Sequence, residues 1–342
     1  MPTVNSRERV LKTLNLQRPD KVPVVPFIIS FAAKYAGLRF LEYCKDASKL
    51  AKAQIATAER FKLDAVYVDS DAVVDIEAMG AEVRYFEDEV PTASKPLVRS
   101  LDDARSLKVP DPQRDGRLPV WLDAIKILRK EVGDRLAVFS NINGPFQIAA
   151  QLHGITNICM DFYRNPELVS ELVDLTTKAA IAMARAEIEA GTDAIVLGDA
   201  MSSSSLISPG HFERFSFPYI QRVVREVGNA VPFFLHICGD ATRIIDKMVE
   251  TGTRFLEVDA YVDLRTIGEK YGKSIGVRGN ISPALLLNGK PVEIEGKCRE
   301  AIEASARLGG FILGSGCELP KNTPHANLET MVSSAEKYGK HT

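Results

Sequence analysis

His236 and Cys238, two apart in the run VPFFLHICGD at 231–240, and Cys317 in GFILGSGCELP at 310–320 are the side chains best suited to chemistry. On a strand, residues two apart point to the same face, so this imidazole and thiol share a side. The second thiol follows another apolar run, inside a Gly-rich turn. One imidazole and two thiolates form a zinc ligand set, and three protein ligands leave a fourth position for substrate, water or a carboxylate, as in catalytic sites. Two thiolates cancel the ion's charge. Such a centre activates water less than an all-imidazole site and suits a soft thiol or an ether oxygen. Taken alone, H-x-C is a weak signal, because buried free cysteines are ordinary small apolar residues. Cys44, Cys159 and Cys298 read that way, while His153, His211 and His325 read as caps or surface groups and His341 lies in the tail.

Short apolar runs must position these groups. Eight recur: 22–29, 65–71, 136–144, 194–200, 231–240, 255–260, 275–283 and 310–320. They are continuous rather than alternating, as parallel strands buried on both faces require. Amphipathic segments at 166–191, 211–228, 241–252 and 292–310 separate several of them. The expected architecture is α/β: a (β/α)8 TIM barrel over 1–342 as one domain. A short helix at 7–16 extends the N-terminus, and a hairpin-like insertion at 80–98 follows the second strand, with a turn-rich stretch at 110–119. Chemistry in such a barrel belongs at the C-terminal strand ends. Those ends carry Asp69 and Asp71, Asn141 and Asn143, Asp199, His236 and Cys238, Glu257 and Asp259, Asn280, then Cys317 and Glu318. Asp71, Asp199, Asp259 and Asn280 are the candidate catalytic side chains, though each is equally suited to cap a following turn or helix.

Composition narrows the class. With 45% hydrophobic and 26% charged residues, the 342-residue chain has the balance of a soluble enzyme. A net charge of -2 gives no basic field for nucleic acid or an anionic membrane. Five cysteines are too few for a disulfide scaffold. The N-terminus lacks an apolar signal core, no membrane span is evident, and the expected location is cytoplasmic. GSG at 314–316 is not a P-loop, and no G-x-G-x-x-G opens a βαβ unit. The serines at 202–205 suit a lid or pocket wall. Lys21, Lys34 and Arg39 are placed to meet a substrate anion or, more simply, solvent.

Through these and neighbouring residues the chain resembles the uroporphyrinogen decarboxylase superfamily, in its zinc-dependent corrinoid methyltransferase branch. The resemblance rests on RERVLKTLNLQRPDKVPVVP at 7–26, DSDAVVDIEAMGAEV at 69–83, HICGD at 236–240, VRGNISP at 277–283 and GCELPKNTPHANLETMV at 316–332. It implies a (β/α)8 barrel with zinc on His236, Cys238 and Cys317, sometimes joined by a carboxylate, for which Asp71, Glu77 and Glu257 are candidates. The decarboxylases carry R-Q-A-G-R-Y after the first strand; FAAKYAG stands here, without either arginine. Asp71 nonetheless resembles their catalytic aspartate, so a decarboxylase remains the alternative. The methyltransferase branch implies methyl transfer between a corrinoid and either a thiol acceptor or a methoxylated donor. No D-x-H-x-x-G motif is present, so the corrinoid (cobalamin) is expected on a separate protein. Monomer and homodimer are both compatible with the resemblance.

Overall fold

The computed structural model describes residues 5–340. Its strands are β1 (Ala65–Val68), β2 (Val83–Arg84), β3 (Thr92–Ala93), β4 (Ala137–Asn143), β5 (Ala194–Gly198), β6 (Phe233–His236), β7 (Phe255–Glu257), β8 (Gly276–Ile281) and β9 (Gly310–Ser315). Seven form one parallel sheet in the order β1-β4-β5-β6-β7-β8-β9. The insertion at 80–98 is the antiparallel pair β2–β3, as its composition predicts.

The expected first strand is a correction. Residues 22–29 do not form a regular strand, because Pro23 and Pro26 have no N–H to offer a ladder. The segment instead straps the two sheet edges. Val25 N–H donates to the Leu313 carbonyl and Leu313 N–H to the Pro23 carbonyl, both at 2.9 Å, while Asp64 N–H donates to the Val24 carbonyl at 3.0 Å. Among the described residues, the sheet is a curl of seven strands tied by this strap rather than a regular eight-stranded barrel.

Strand faces explain the continuous apolar runs. Outward residues such as Val66, Val138 and Ile195 join the large core beneath the helices. Inward residues, including Tyr67, Phe139, Val196, Phe234, Phe255 and Ile312, form a second core that Val10 and Leu14 of the helix Ser6–Leu14 help to complete. Gly276 belongs to this tight layer: a Cβ there would sit 2.2 Å from the Phe255 ring. Gly276→Ala is therefore expected to cost about 1–3 kcal/mol, the range for overpacking a core. A denaturant midpoint unchanged from wild type would contradict that packing.

Helix boundaries follow local chemistry. The helix Pro166–Ala190 starts with Asn165 accepting the Leu168 N–H and stops at Gly191, whose φ of 104° favours glycine. The segment expected at 211–228 as one helix is two, Pro209–Phe215 and Phe217–Val227. Pro218 cannot continue the hydrogen-bond ladder, and the break frees Ser216 to bond Asp199 at 3.2 Å. The segment 241–252 likewise begins as a 3-10 turn and becomes α-helical only over Ile245–Glu250. No helix among the described residues is long and apolar enough to cross a membrane.

Candidate metal centre

The inward faces turn polar toward the C-terminal strand ends. His236, two residues after Phe234, closes β6. Cys238 lies beyond the strand, contrary to the expectation that β6 carries it, because the chain turns at Gly239 with φ 75°. The turn is held from outside: Ser203 Oγ donates to the Cys238 carbonyl at 2.7 Å, and Gly239 N–H donates to Asp259 Oδ2 at 3.1 Å. Of the serines at 202–205, Ser203 braces this turn, and none of the four lines the cavity. Cys317 follows β9 through Gly316, whose N–H donates to the Ile281 carbonyl at 2.8 Å. A Cβ on Gly316 would meet Asp259 at 2.9 Å, so Asp259 flanks both cysteine loops.

These turns bring three ligand atoms together. His236 Nε2 lies 3.0 Å from Cys238 Sγ, the two sulfurs are 3.6 Å apart, and Cys317 Sγ lies 4.0 Å from His236 Nε2. Tetrahedral zinc bound by these atoms requires about 3.8 Å between sulfurs and about 3.6 Å between nitrogen and sulfur, from its ordinary bond lengths. The donor set fits. Both cysteines are free thiols.

Behind the imidazole stands a buried relay. His236 Nδ1 faces Glu257 Oε1 at 3.5 Å, and Glu257 Oε2 is ion-paired with Arg278, with neither side chain of that pair exposed. The guanidinium packs against Tyr67, Phe139 and Phe234, 5.3, 5.8 and 5.5 Å from their ring centroids. Both His236 Nδ1 and Glu257 Oε1 are buried without a hydrogen-bond partner, each with the other as its facing polar atom. Burial alone would lower the imidazole, but the Glu257 charge and Cys317 outweigh it and raise His236 to about 9. Hydrogen bonding from Cys238 lowers the Cys317 thiol, while the same bond, followed by burial, raises Cys238.

The other candidates divide. Asp71 lines the cavity beside the three ligands, with its oxygens held by Arg117 at 2.7 and 3.0 Å. Glu77 is held by the same guanidinium at 2.6 Å. Asp199 is fully buried, accepting from Gln147 N–H at 2.8 Å, and burial raises it to about 6. Asn280 donates to the Val262 carbonyl at 2.8 Å and lines a separate cavity of about 450 Å³. The structure therefore groups His236, Cys238 and Cys317, sets Asp259 and Asp71 around them, and leaves Asp199 and Asn280 outside the cavity lining.

The remaining histidines and cations have other partners. His153 bonds the Val98 carbonyl and Asp161, His211 stacks on Phe162, and His325 sits among Phe31, Tyr35 and Phe61. His341 lies outside the described residues. Lys21, Lys34 and Arg39 pair with Glu336, Asn322 and Glu42, respectively. Sequence reasoning gave no role to Arg117 or Arg278. Arg117 belongs to a turn-rich stretch that reads as surface, whereas Arg278 interrupts an apolar strand, a signal for a buried acid partner.

A family model described as Uroporphyrinogen decarboxylase (URO-D) matches residues 5–338. The chain is 30% identical over 344 residues to the methylcobamide:CoM methyltransferase MtbA of Methanosarcina mazei, with 99% of each chain covered. It is also 30% identical over 341 residues to the methylcobamide:CoM methyltransferase MtaA of Methanosarcina barkeri, covering 97% of this chain and 98% of that one. A solved structure described as a methyltransferase from Methanosarcina mazei has a TM-score of 0.90 at 28% identity, covering 98% of this chain and 99% of that one.

Proposed function

Since the chain belongs to the uroporphyrinogen decarboxylase (URO-D) family, within its corrinoid methyltransferase branch, we propose that it moves a methyl group between a corrinoid and a small substrate at a zinc centre. The observation that carries this reading is the convergence of His236, Cys238 and Cys317 within 4.8 Å at one cavity. Zinc bound by these three residues would supply a Lewis acid for the substrate's oxygen or sulfur, with the methyl carbon left to the corrinoid.

The protein's own groups prepare the site. Cys238 and Cys317 provide soft, charge-cancelling donors. Glu257 orients His236 through Nδ1 so that Nε2 faces the sulfurs, and Arg278 holds Glu257 in place. Asp259 braces the two cysteine loops. The corrinoid is carried by a separate protein that presents it at the cavity, consistent with the absence of D-x-H-x-x-G from this sequence. Porphyrinogen decarboxylation is less well supported: Lys34 bonds Asn322 at the surface, and both Asp71 oxygens are engaged by Arg117.

Elemental analysis tests the metal directly, with about one zinc per chain expected. Zinc-free protein with full methyl-transfer activity would overturn the reading. Glu257→Gln is expected to keep the metal but weaken its binding about 10–100-fold, the usual cost of losing an outer partner of a ligand histidine. Competition with a chromophoric chelator measures this. Unchanged affinity would remove Glu257 from the positioning role.

A further inference from the structure

The cavity beside the metal centre, about 220 Å³ in volume, is lined by Asp69, Asp71, Glu318 and the amides of Asn141, Asn143 and Gln147 as well as apolar groups. Among its described lining residues there is no lysine or arginine. Arg117 and Arg278 are engaged by Asp71, Glu77 and Glu257. An anion entering this space would surrender its hydration without gaining a counter-ion, a costly exchange.

Asp69 differs from the other two acids. Asp71 is paired with Arg117, and Glu318 accepts from both the backbone and hydroxyl of Ser30. Asp69 is 5% exposed, and the neighbouring Ser70 backbone hydrogen-bonds its carboxyl group. Its position relative to the metal centre follows from the floor. Tyr67, two residues earlier, meets the Phe27 ring at 5.0 Å, and Phe27 in turn meets His236 at 6.2 Å. Phe27, Asp69 and His236 all line the same cavity. Burial, followed by the charges of Asp71 and Glu318, raises Asp69 well above the usual carboxylate range. A carboxyl group that keeps its proton is a hydrogen-bond donor.

Resting on the methyl-transfer reading, we propose that this cavity selects an uncharged methyl ether and that Asp69 hands its proton to the ether oxygen as the methyl group leaves. The C–O bond breaks with its electron pair remaining on oxygen. A cobalt(I) corrinoid supplies the pair for the new bond to carbon. The proton passes from the Asp69 carboxyl group to that oxygen, the product leaves as a neutral alcohol or phenol, and Asp69 recovers a proton from water.

Calorimetric titration of zinc-loaded protein, with no corrinoid present, separates charge from ligation. 2-Mercaptoethanol and 2-mercaptoethanesulfonate share a thiol and differ in charge; the uncharged probe is expected to bind at least about tenfold tighter. Equal or tighter sulfonate binding overturns the proposed selectivity. With 2-methoxyphenol, Asp69→Ala is expected to weaken binding about tenfold, one hydrogen bond to a buried group. Asp69→Asn, whose amide still donates, is expected to bind within about threefold of wild type yet lose at least about 100-fold in methyl transfer to cob(I)alamin, the contribution of a general acid. Undiminished binding in Asp69→Ala or undiminished transfer in Asp69→Asn overturns the assignment of Asp69. Failure of the underlying reading has a different signature: no zinc and no methyl transfer in the wild type.

Discussion

Cys317→Ala is expected to lose most of its zinc and nearly all methyl transfer while keeping its fold. Zinc binding at structural sites is worth roughly 10–16 kcal/mol, so one ligand of four carries about 3–4 kcal/mol and its loss weakens affinity by about 10²–10³. Cys317 sits after β9 in a turn fixed by the Gly316 N–H, and removing its sulfur leaves that turn intact. A thermal transition close to wild type, together with zinc well below one per chain after dialysis, is the expected pair of results. Full zinc retention would show that the sulfurs are not its ligands.

Arg278→Met has the second large effect, on stability. The Arg278–Glu257 pair is completely buried, and removing the cation strands a carboxylate beneath the metal centre. Breaking such a pair typically costs about 3–5 kcal/mol, whereas replacing both partners together is much milder. The double variant Arg278→Met with Glu257→Gln should therefore recover stability relative to Arg278→Met alone. Equilibrium denaturation reads both changes. A single variant as stable as wild type, or a double variant with strictly additive losses, would contradict the buried-pair account.

The parts legible in the sequence are those whose signal is local. His236 and Cys238 are two apart, and Cys317 follows a strand of its own, so residue type and spacing suggest a shared site, which the family resemblance turns into a zinc site. The parallel strands were visible because both of their faces are buried. The strap at 22–29 has the apolar content of a strand, while Pro23 and Pro26 decide its hydrogen bonding. Spacing alone puts Cys238 on β6 and does not reveal the turn at Gly239. Arg117 was missed for a different reason: its partner Asp71 lies 46 residues away, and pairing over such a distance depends on the completed fold. Glu257 and Arg278 did leave a trace, as charged residues of opposite sign within two apolar runs that form neighbouring strands.

The most direct test of the central claim is the absorbance of free cobalamin mixed with zinc-loaded protein and 2-methoxyphenol. Cob(I)alamin should convert to methylcob(III)alamin with the wild type, and Cys317→Ala should slow the conversion by at least about 10³-fold, from the loss of the activating metal. Conversion at equal rates by the two proteins, or by zinc-free wild type at the rate of the loaded protein, would contradict a methyl-transfer centre built on His236, Cys238 and Cys317.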